Sequence, residues 1–341
     1  KYLLFLFVIC FSSLAIASDK IVNVYAWGGE IPQQLIHQFE AETGIHVNFS
    51  TYDNNETLYA KLHASNQAIY DVIVPSSYYV ARLKKQGFLK KLDHTRLPHL
   101  KNLDPSFTHD AYDLNNQYSM PLIWGVTGIF YNQHWIKTPP KTWEDLWDKK
   151  WREQLLLLDD PREVFSIALM SLGYSPNDAN PKHIKTAFEH LKLLVPNIKL
   201  FASESIQAIL IDEDAQIGAA WNGDAFKAYQ ENPDIHFIYP EEGFMIWIDC
   251  LSMLKNAPHP KEAYAFIDFL LKAESAKTIA LTEGHAITNQ AGQALLPKAL
   301  RENPMVYPSS EILKHAVIQA DMSKQILELY DTYWQQLKFS F

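Results

Sequence analysis

The sequence predicts an α/β fold made of two doubly wound lobes with a cleft between them. Three observations carry this. β-Branched strands alternate with amphipathic helices, two long apolar segments lie far apart in the chain, and aromatic and acidic residues gather where strands end. Strand–helix alternation implies a mostly parallel sheet in each lobe.

The elements follow in order. Lys1 precedes an uncharged apolar run that ends in Ala15-Ile16-Ala17. A positive start, an apolar middle and a small-x-small site read as a secretory signal peptide over residues 1–17. Cys10 lacks the small residues that a lipoprotein box would place before it, so the expected product is soluble and begins at Ser18. Ile21–Tyr25 is a β-branched, aromatic strand. Pro32 opens a helix with Leu35, Ile36 and Phe39 on one face, and Gly44 closes it. Ile45–Phe49 alternates as a strand does, Thr57–Ala64 reads as a short helix, and Asp71–Pro75 as a buried strand before a helix ending at Gly87. Pro121–Tyr131 and Phe244–Asp249 are long enough and apolar enough to cross between lobes. Strands near Leu155–Leu158 and Ala215–Ala220 lie between them, and one long helix from about Glu262 to Glu283 follows. The expected division is 18–124 with 247–293 in the first lobe and 125–246 with 294–341 in the second.

Composition narrows the function. A chain that is 48% hydrophobic and 20% charged has enough apolar bulk for a core in each lobe. Beyond Ala17 it keeps one cysteine, Cys250, so no disulfide within the chain is possible. A net charge of -9 opposes nucleic-acid phosphates and suits a cationic ligand. Enzyme signatures are missing: there is no G-x-S-x-G, H-E-x-x-H, P-loop or G-x-G-x-x-G. His94, His99 and His109 have no standard metal-ligand spacing, and no histidine partners Cys250 as a nucleophile's base would. Neither cofactor nor metal is expected.

Trp27 ends the first strand, Tyr78 and Tyr79 follow the strand ending at Pro75, Trp221-Asn222-Gly223-Asp224 follows another, and Trp247-x-Asp249 lies in a crossing. Ligands of open α/β sheets bind beyond the carboxyl ends of strands, so these residues can converge on one cleft. Indole faces attract cations and cover methylene chains, and carboxylates anchor ammonium groups. Asp160, Pro161 and Glu163 have the spacing of a capping box at a helix start. The positive end of that helix would repel a cation unless these carboxylates inverted the local field. Capping and cation binding can therefore coexist at Asp160 and Glu163.

Several strings resemble the periplasmic spermidine/putrescine-binding proteins. They include Tyr25-Ala26-Trp27, Ser50-Thr51-Tyr52 with Asn55-Glu56-Thr57, Val74-Pro75-Ser76-Ser77-Tyr78-Tyr79, Thr142-Trp143, Asp160 with Arg162-Glu163-Val164-Phe165, Trp221-Asn222-Gly223 and Trp247-Ile248-Asp249. They run in collinear order over nearly the whole chain after residue 17. The resemblance implies the two-lobed periplasmic solute-binding fold, which closes on its ligand and docks on the membrane permease of an ABC importer as a monomer. By position it implies that Trp27, Tyr78, Trp221 and Trp247 line a methylene chain. Asp160, Glu163 and Asp249 would hold ammonium groups, with polar contacts from Ser76, Ser203 and Gln319. There are two departures. Gly28-Gly29-Glu30 stands where the family has a polar residue, an acid and a tyrosine, and His285 stands where it has a tyrosine. Glu30 either favours the positive end of the helix opened by Pro32 or supplies the carboxylate absent at position 29. Two other functions remain to be weighed: capture of an anion or metal chelate, and an exported enzyme with Asp160 and Glu163 as its acid–base pair. Exported material is expected to lack residues 1–17. Intact-mass measurement should place its first residue at Ser18.

Overall fold

A computed structural model describes residues 20–64, 69–108 and 111–341; the expected signal segment and His109 lie outside them. Eleven strands form one continuous sheet among the described residues. They are β1 (Ile21–Trp27), β2 (His46–Tyr52), β3 (Val72–Ile73), β4 (Ser119–Asn132), β5 (Leu155–Leu157), β6 (Ile198–Phe201), β7 (Ile217–Trp221), β8 (Ile235–Ile238), β9 (Phe244–Met253), β10 (Ala286–Ile287) and β11 (Ala316–Ile318). The main order is β2-β1-β3-β9-β4-β7-β5-β6. At one end β1 pairs in parallel with β2 and β3; at the other β5 pairs in parallel with β6 and β7. The expected parallel character therefore holds within these two trios. The middle is antiparallel, because β9 and β4 run between the trios in opposite senses.

The two apolar crossings are thus real strands and partners. Ser119–Thr127 pairs with Met245–Ser252 along most of its length, with a bulge between Pro121 and Ile123. All fourteen residues of β4 are buried, which is why its sequence reads as an unbroken apolar run. Two hydrophobic cores flank the pair. The first gathers Val24, Phe39, Leu58, Ile73, Val126, Ile248 and Phe266; the second gathers Phe130, Leu156, Phe165, Leu191, Ala219 and Tyr330. Leu296, Leu300 and Val306 pack in the first core, although the boundary read at 294 assigns them to the second lobe. Residues Ile326–Leu337 do supply the second. Cys250 is buried in the first core.

Two local expectations are corrected. The helix expected to run unbroken from Glu262 to Glu283 is two helices, Pro260–Leu270 and Ala273–Glu283. Lys272 between them is extended, and the Leu271 carbonyl accepts from the side-chain amides of Asn102 and Asn289 instead of from the next turn. The strand expected over Asp71–Pro75 has only Val72 and Ile73 in its ladder. Just beyond it, Ser76 bridges across to Asp249.

Gly218 shows how tightly the second core is closed. Its φ is +150°, and a Cβ there would lie 2.0 Å from the Leu156 carbonyl oxygen, a backbone atom with nowhere to go. Gly218→Ala should cost about 1–3 kcal/mol of stability. Chemical denaturation of the two proteins measures the difference.

Candidate functional site

A cavity of about 570 Å³ lies where the two cores meet β4 and β9. All twelve residues singled out from the sequence line it: Trp27, Glu30, Ser76, Tyr78, Asp160, Glu163, Ser203, Trp221, Trp247, Asp249, His285 and Gln319. Most arrive on a strand end, a helix start or a crossing. Trp27 ends β1, Trp221 ends β7, and Ser76 and Tyr78 open the helix Ser77–Lys85. Asp160 and Glu163 begin the helix Pro161–Ser171, while Trp247 and Asp249 alternate on β9.

The aromatic wall is continuous. The Trp27 and Trp221 rings are 6.4 Å apart and the Trp221 and Trp247 rings 6.5 Å apart, both edge to face. Trp247 in turn meets His285 at 5.8 Å. The backbone makes room for this wall at Gly125, directly opposite Trp247 in the ladder. A Cβ on Gly125 would sit 2.2 Å from the indole. The indole nitrogens of Trp27 and Trp247 and the Ser203 hydroxyl are buried with no hydrogen-bond partner.

The acids fall into groups. In the first, Ser76 Oγ donates to Asp249 Oδ1 at 2.6 Å, and Asn55 Nδ2 donates to Ser76 Oγ and to the Tyr78 hydroxyl. Glu30 faces Asp249. Burial raises Glu30 well above the usual carboxylate range, and the Asp249 charge raises it further. Asp249 is pushed up by burial to about 6, against hydrogen bonds from Ser76 and Glu30. Of the two readings of Glu30, the structure brings it into the cleft, 4% exposed, with Oε2 unpartnered.

In the second group, Asp160 Oδ1 accepts from the backbone N–H groups of Arg162 and Glu163, at 2.7 and 3.0 Å. It is an N-cap. The reciprocal half of a capping box is absent, since Glu163 turns into the cleft and accepts from Gln319 Nε2 at 3.2 Å. Burial pushes Glu163 up to about 8, with the Asp160 charge adding to it. Burial also raises Asp160, opposed by those two backbone donors.

Sequence reasoning missed several cavity residues. Tyr52 ends β2 and Asp53 and Asn55 follow it, so the strand-end rule that found Trp27 and Tyr78 would have reached them. Asp224, already read as following the strand that ends at Trp221, lines the cavity too, from the first turn of the helix Asn222–Glu231. Glu56 stands behind the lining and accepts from the Tyr79 hydroxyl at 3.0 Å. Burial, then the Asp160 charge, pushes it up to about 7. Its signal is tertiary, because Asp160 lies more than a hundred residues away in the chain.

Two α/β cores around a walled cavity define a solute-binding protein of the two-lobed kind. The chain belongs to the bacterial extracellular solute-binding protein family, whose profile matches residues 34–304. It is 39% identical over 330 residues to the spermidine/putrescine-binding periplasmic protein of Salmonella typhimurium, covering 96% of this chain and 94% of that one. It is 33% identical to the putrescine/agmatine-binding protein of Pseudomonas aeruginosa, covering 94% and 93%. A Listeria monocytogenes protein assigned to a spermidine/putrescine ABC transporter superposes with a TM-score of 0.91 at 33% identity, over 95% of this chain and 100% of that one.

The raised carboxyls set a pH dependence for the ligand-free protein. Glu163 holds a proton in the folded state up to about pH 8, whereas an unfolded glutamate loses it near about 4.3. Between those values the native state binds more protons, so this group's contribution to stability falls as pH rises and is flat outside the window. Glu163→Gln stays neutral throughout. The ligand-free variant should therefore gain on wild type by at least about 1 kcal/mol between pH 5 and pH 8, measured by denaturation at both.

Proposed function

We propose that this protein captures a polyamine, spermidine or putrescine, in the periplasm and delivers it to the permease of an ABC importer. One observation carries the reading. The cavity is walled by three indoles and lined by seven Asp or Glu residues with no Lys or Arg among the described lining. Carboxyls buried without a cation are costly. A flexible polycation whose ammonium groups meet them and whose methylenes lie on the indoles compensates them at both ends. Trp27, Tyr78, Trp221 and Trp247 take the methylene chain. The Asp160/Glu163 group takes one ammonium and the Glu30/Asp249 pair another, with Ser76, Ser203, Gln319 and His285 around them. Burial pushes His285 down to about 4, so the ring meets the ligand uncharged.

The relatives' ligands agree with this reading. An anion would face the seven acids with no counter-charge in the lining, so that alternative loses its chemistry. The enzyme alternative has no supporting observation: Asp160 is occupied as a helix cap, and the relatives are solute-binding proteins. Export rests on residues 1–17 acting as a cleaved signal, and no described helix is long and apolar enough to cross a membrane. Because the ligand is held by elements of both cores, it favours the closed state over an open one. The protein acts as a monomer and returns the polyamine unchanged.

Calorimetric titration with putrescine and spermidine, on protein unfolded and refolded to strip carried-over ligand, tests the proposal. Saturable binding is expected, and no heat with either ligand refutes it. Asp249→Asn should keep the fold and weaken binding by about 2–5 kcal/mol, as expected for one partner of a buried charged contact. Unchanged affinity would remove Asp249 from the site.

A further inference from the structure

The crossing strands are not all that joins the two lobes. Arg82 belongs to the first lobe, on the helix Ser77–Lys85, whose Val80 and Leu83 pack in the first core. Asp321 belongs to the second. It follows β11 and precedes Met322, which packs in the second core with Ile326 and Tyr330 of the last helix, Lys324–Ser340. Arg82 Nε donates to Asp321 Oδ1 at 2.9 Å, and Nη2 lies 2.8 Å from the same oxygen. Neither residue lines the cavity. The pair therefore joins the lobes without touching what the cleft holds.

Each partner is fixed within its own lobe. The Arg82 guanidinium lies 4.2 Å from the centroid of the Tyr79 ring and 5.6 Å from that of Tyr59. Rings placed in this way hold a guanidinium in position before it meets an acid. On the other side, the Ala320 N–H donates to Asn177 Oδ1, and Asn177 Nδ2 donates to the Ile318 carbonyl, both at 2.9 Å. Arg162, in the first turn of the helix Pro161–Ser171, donates from Nη2 to the Ala320 carbonyl at 3.3 Å. The segment that carries Asp321 is thus tied to the second lobe.

The surrounding charges give the pair work to do. The side chains of Arg82 and Asp321 are 7% and 23% exposed, so water and salt screen the pair less than one on the open surface. A repulsion opposes it. Burial, then the charge of Asp160 in the other lobe, raises Glu56, while the Tyr79 hydroxyl and the Arg82 charge lower it. Burial also raises Asp331 on the last helix, and the Arg82 charge again acts against this. Arg82 is therefore a first-lobe cation set against second-lobe acids, where closure brings Glu56 and Asp160 together.

We propose that Arg82 and Asp321 form a clasp between the lobes that sets how long a ligand stays in the closed cleft, whichever amine it is. The inference rests on the capture and closure described above. Both are positioning residues, since they act by holding the lobes and not by meeting the ligand. Release then requires the pair to part, so a membrane partner that draws the lobes apart unloads the cleft by breaking a contact the ligand does not make.

The test measures association and dissociation rates of putrescine and spermidine by stopped-flow tryptophan fluorescence. The proteins are wild type, Asp321→Asn, Arg82→Gln and Arg82→Gln/Asp321→Asn, all refolded from denaturant. Asp321→Asn should speed dissociation of both amines by the same factor, about tenfold, as for one lost charge-assisted contact. Association should stay within about threefold, because a contact made after encounter appears in the exit rate. The double variant should release ligand no faster than the faster single one, since both substitutions remove one contact. Unchanged dissociation, a loss confined to association, different factors for the two amines, or single losses that add would each overturn the inference. A pair serving only the stability of one lobe would lower the thermal midpoint and leave dissociation unchanged, which overturns it too. Spin labels at Lys101→Cys and Lys185→Cys, exposed positions in the first and second lobes, report closure without any ligand, and Cys250 is buried. Asp321→Asn should shift their distances towards the wider state, and no shift would overturn the clasp. A wild type that binds neither amine, with that shift present, would refute the polyamine reading alone.

Discussion

The arrangement of the site depends on the antiparallel pairing of β4 with β9. These strands are the middle of the sheet, with a parallel trio and its core on either side. Their ladder sets which residues meet where the cores adjoin. Gly125 falls opposite Trp247 and Ile123 opposite Asp249, so one side of the crossing carries the indole and the carboxyl while the other yields space. From that seam the two cores bring in the remaining groups, Trp27, Ser76 and Tyr78 from one and Asp160, Glu163 and Trp221 from the other.

The electrostatics follow from this placement. Bringing several carboxyls to the junction of two cores takes them out of water without giving them cations, and such groups respond by holding protons. Burial raises Glu30, Asp249 and Glu163 above the usual carboxylate range, Glu163 to about 8. The ligand-free cleft is therefore less charged than its composition suggests. A polycation arriving there displaces protons as well as water, so charging the cleft and filling it are one event.

Much of this could be read in the chain beforehand. The strand ends marked by Trp27 and Trp221 and the helix start at Asp160 are local patterns, and local patterns are what a sequence displays. The burial of the first crossing was also legible, because a strand buried on both faces reads as a continuous apolar run. What escaped was of two kinds. The break at Lys272 depends on two distant asparagines taking the Leu271 carbonyl, which no helical periodicity records. Glu56 looks like an ordinary acid in the first turn of a helix, and only the fold shows that Asp160 lies near it. The position of Glu30 was undecidable from sequence, since a residue just before a helix can favour its positive end or turn away from it.

The close approach at Gly125 has a consequence for how this protein and its relatives can change over time. A side chain at 125 and an indole at 247 exclude one another, because the Cβ of the first would lie 2.2 Å from the ring of the second. The two positions therefore form a single inherited unit, although more than a hundred residues separate them in the chain. A lineage that exchanges the tryptophan for a smaller wall gains freedom at 125, and one that first enlarges 125 loses the wall. Either order passes through an intermediate with an impaired cleft. Glycine at 125 and tryptophan at 247 should therefore be kept or replaced together, and their joint presence in a relative would mark the same aromatic floor.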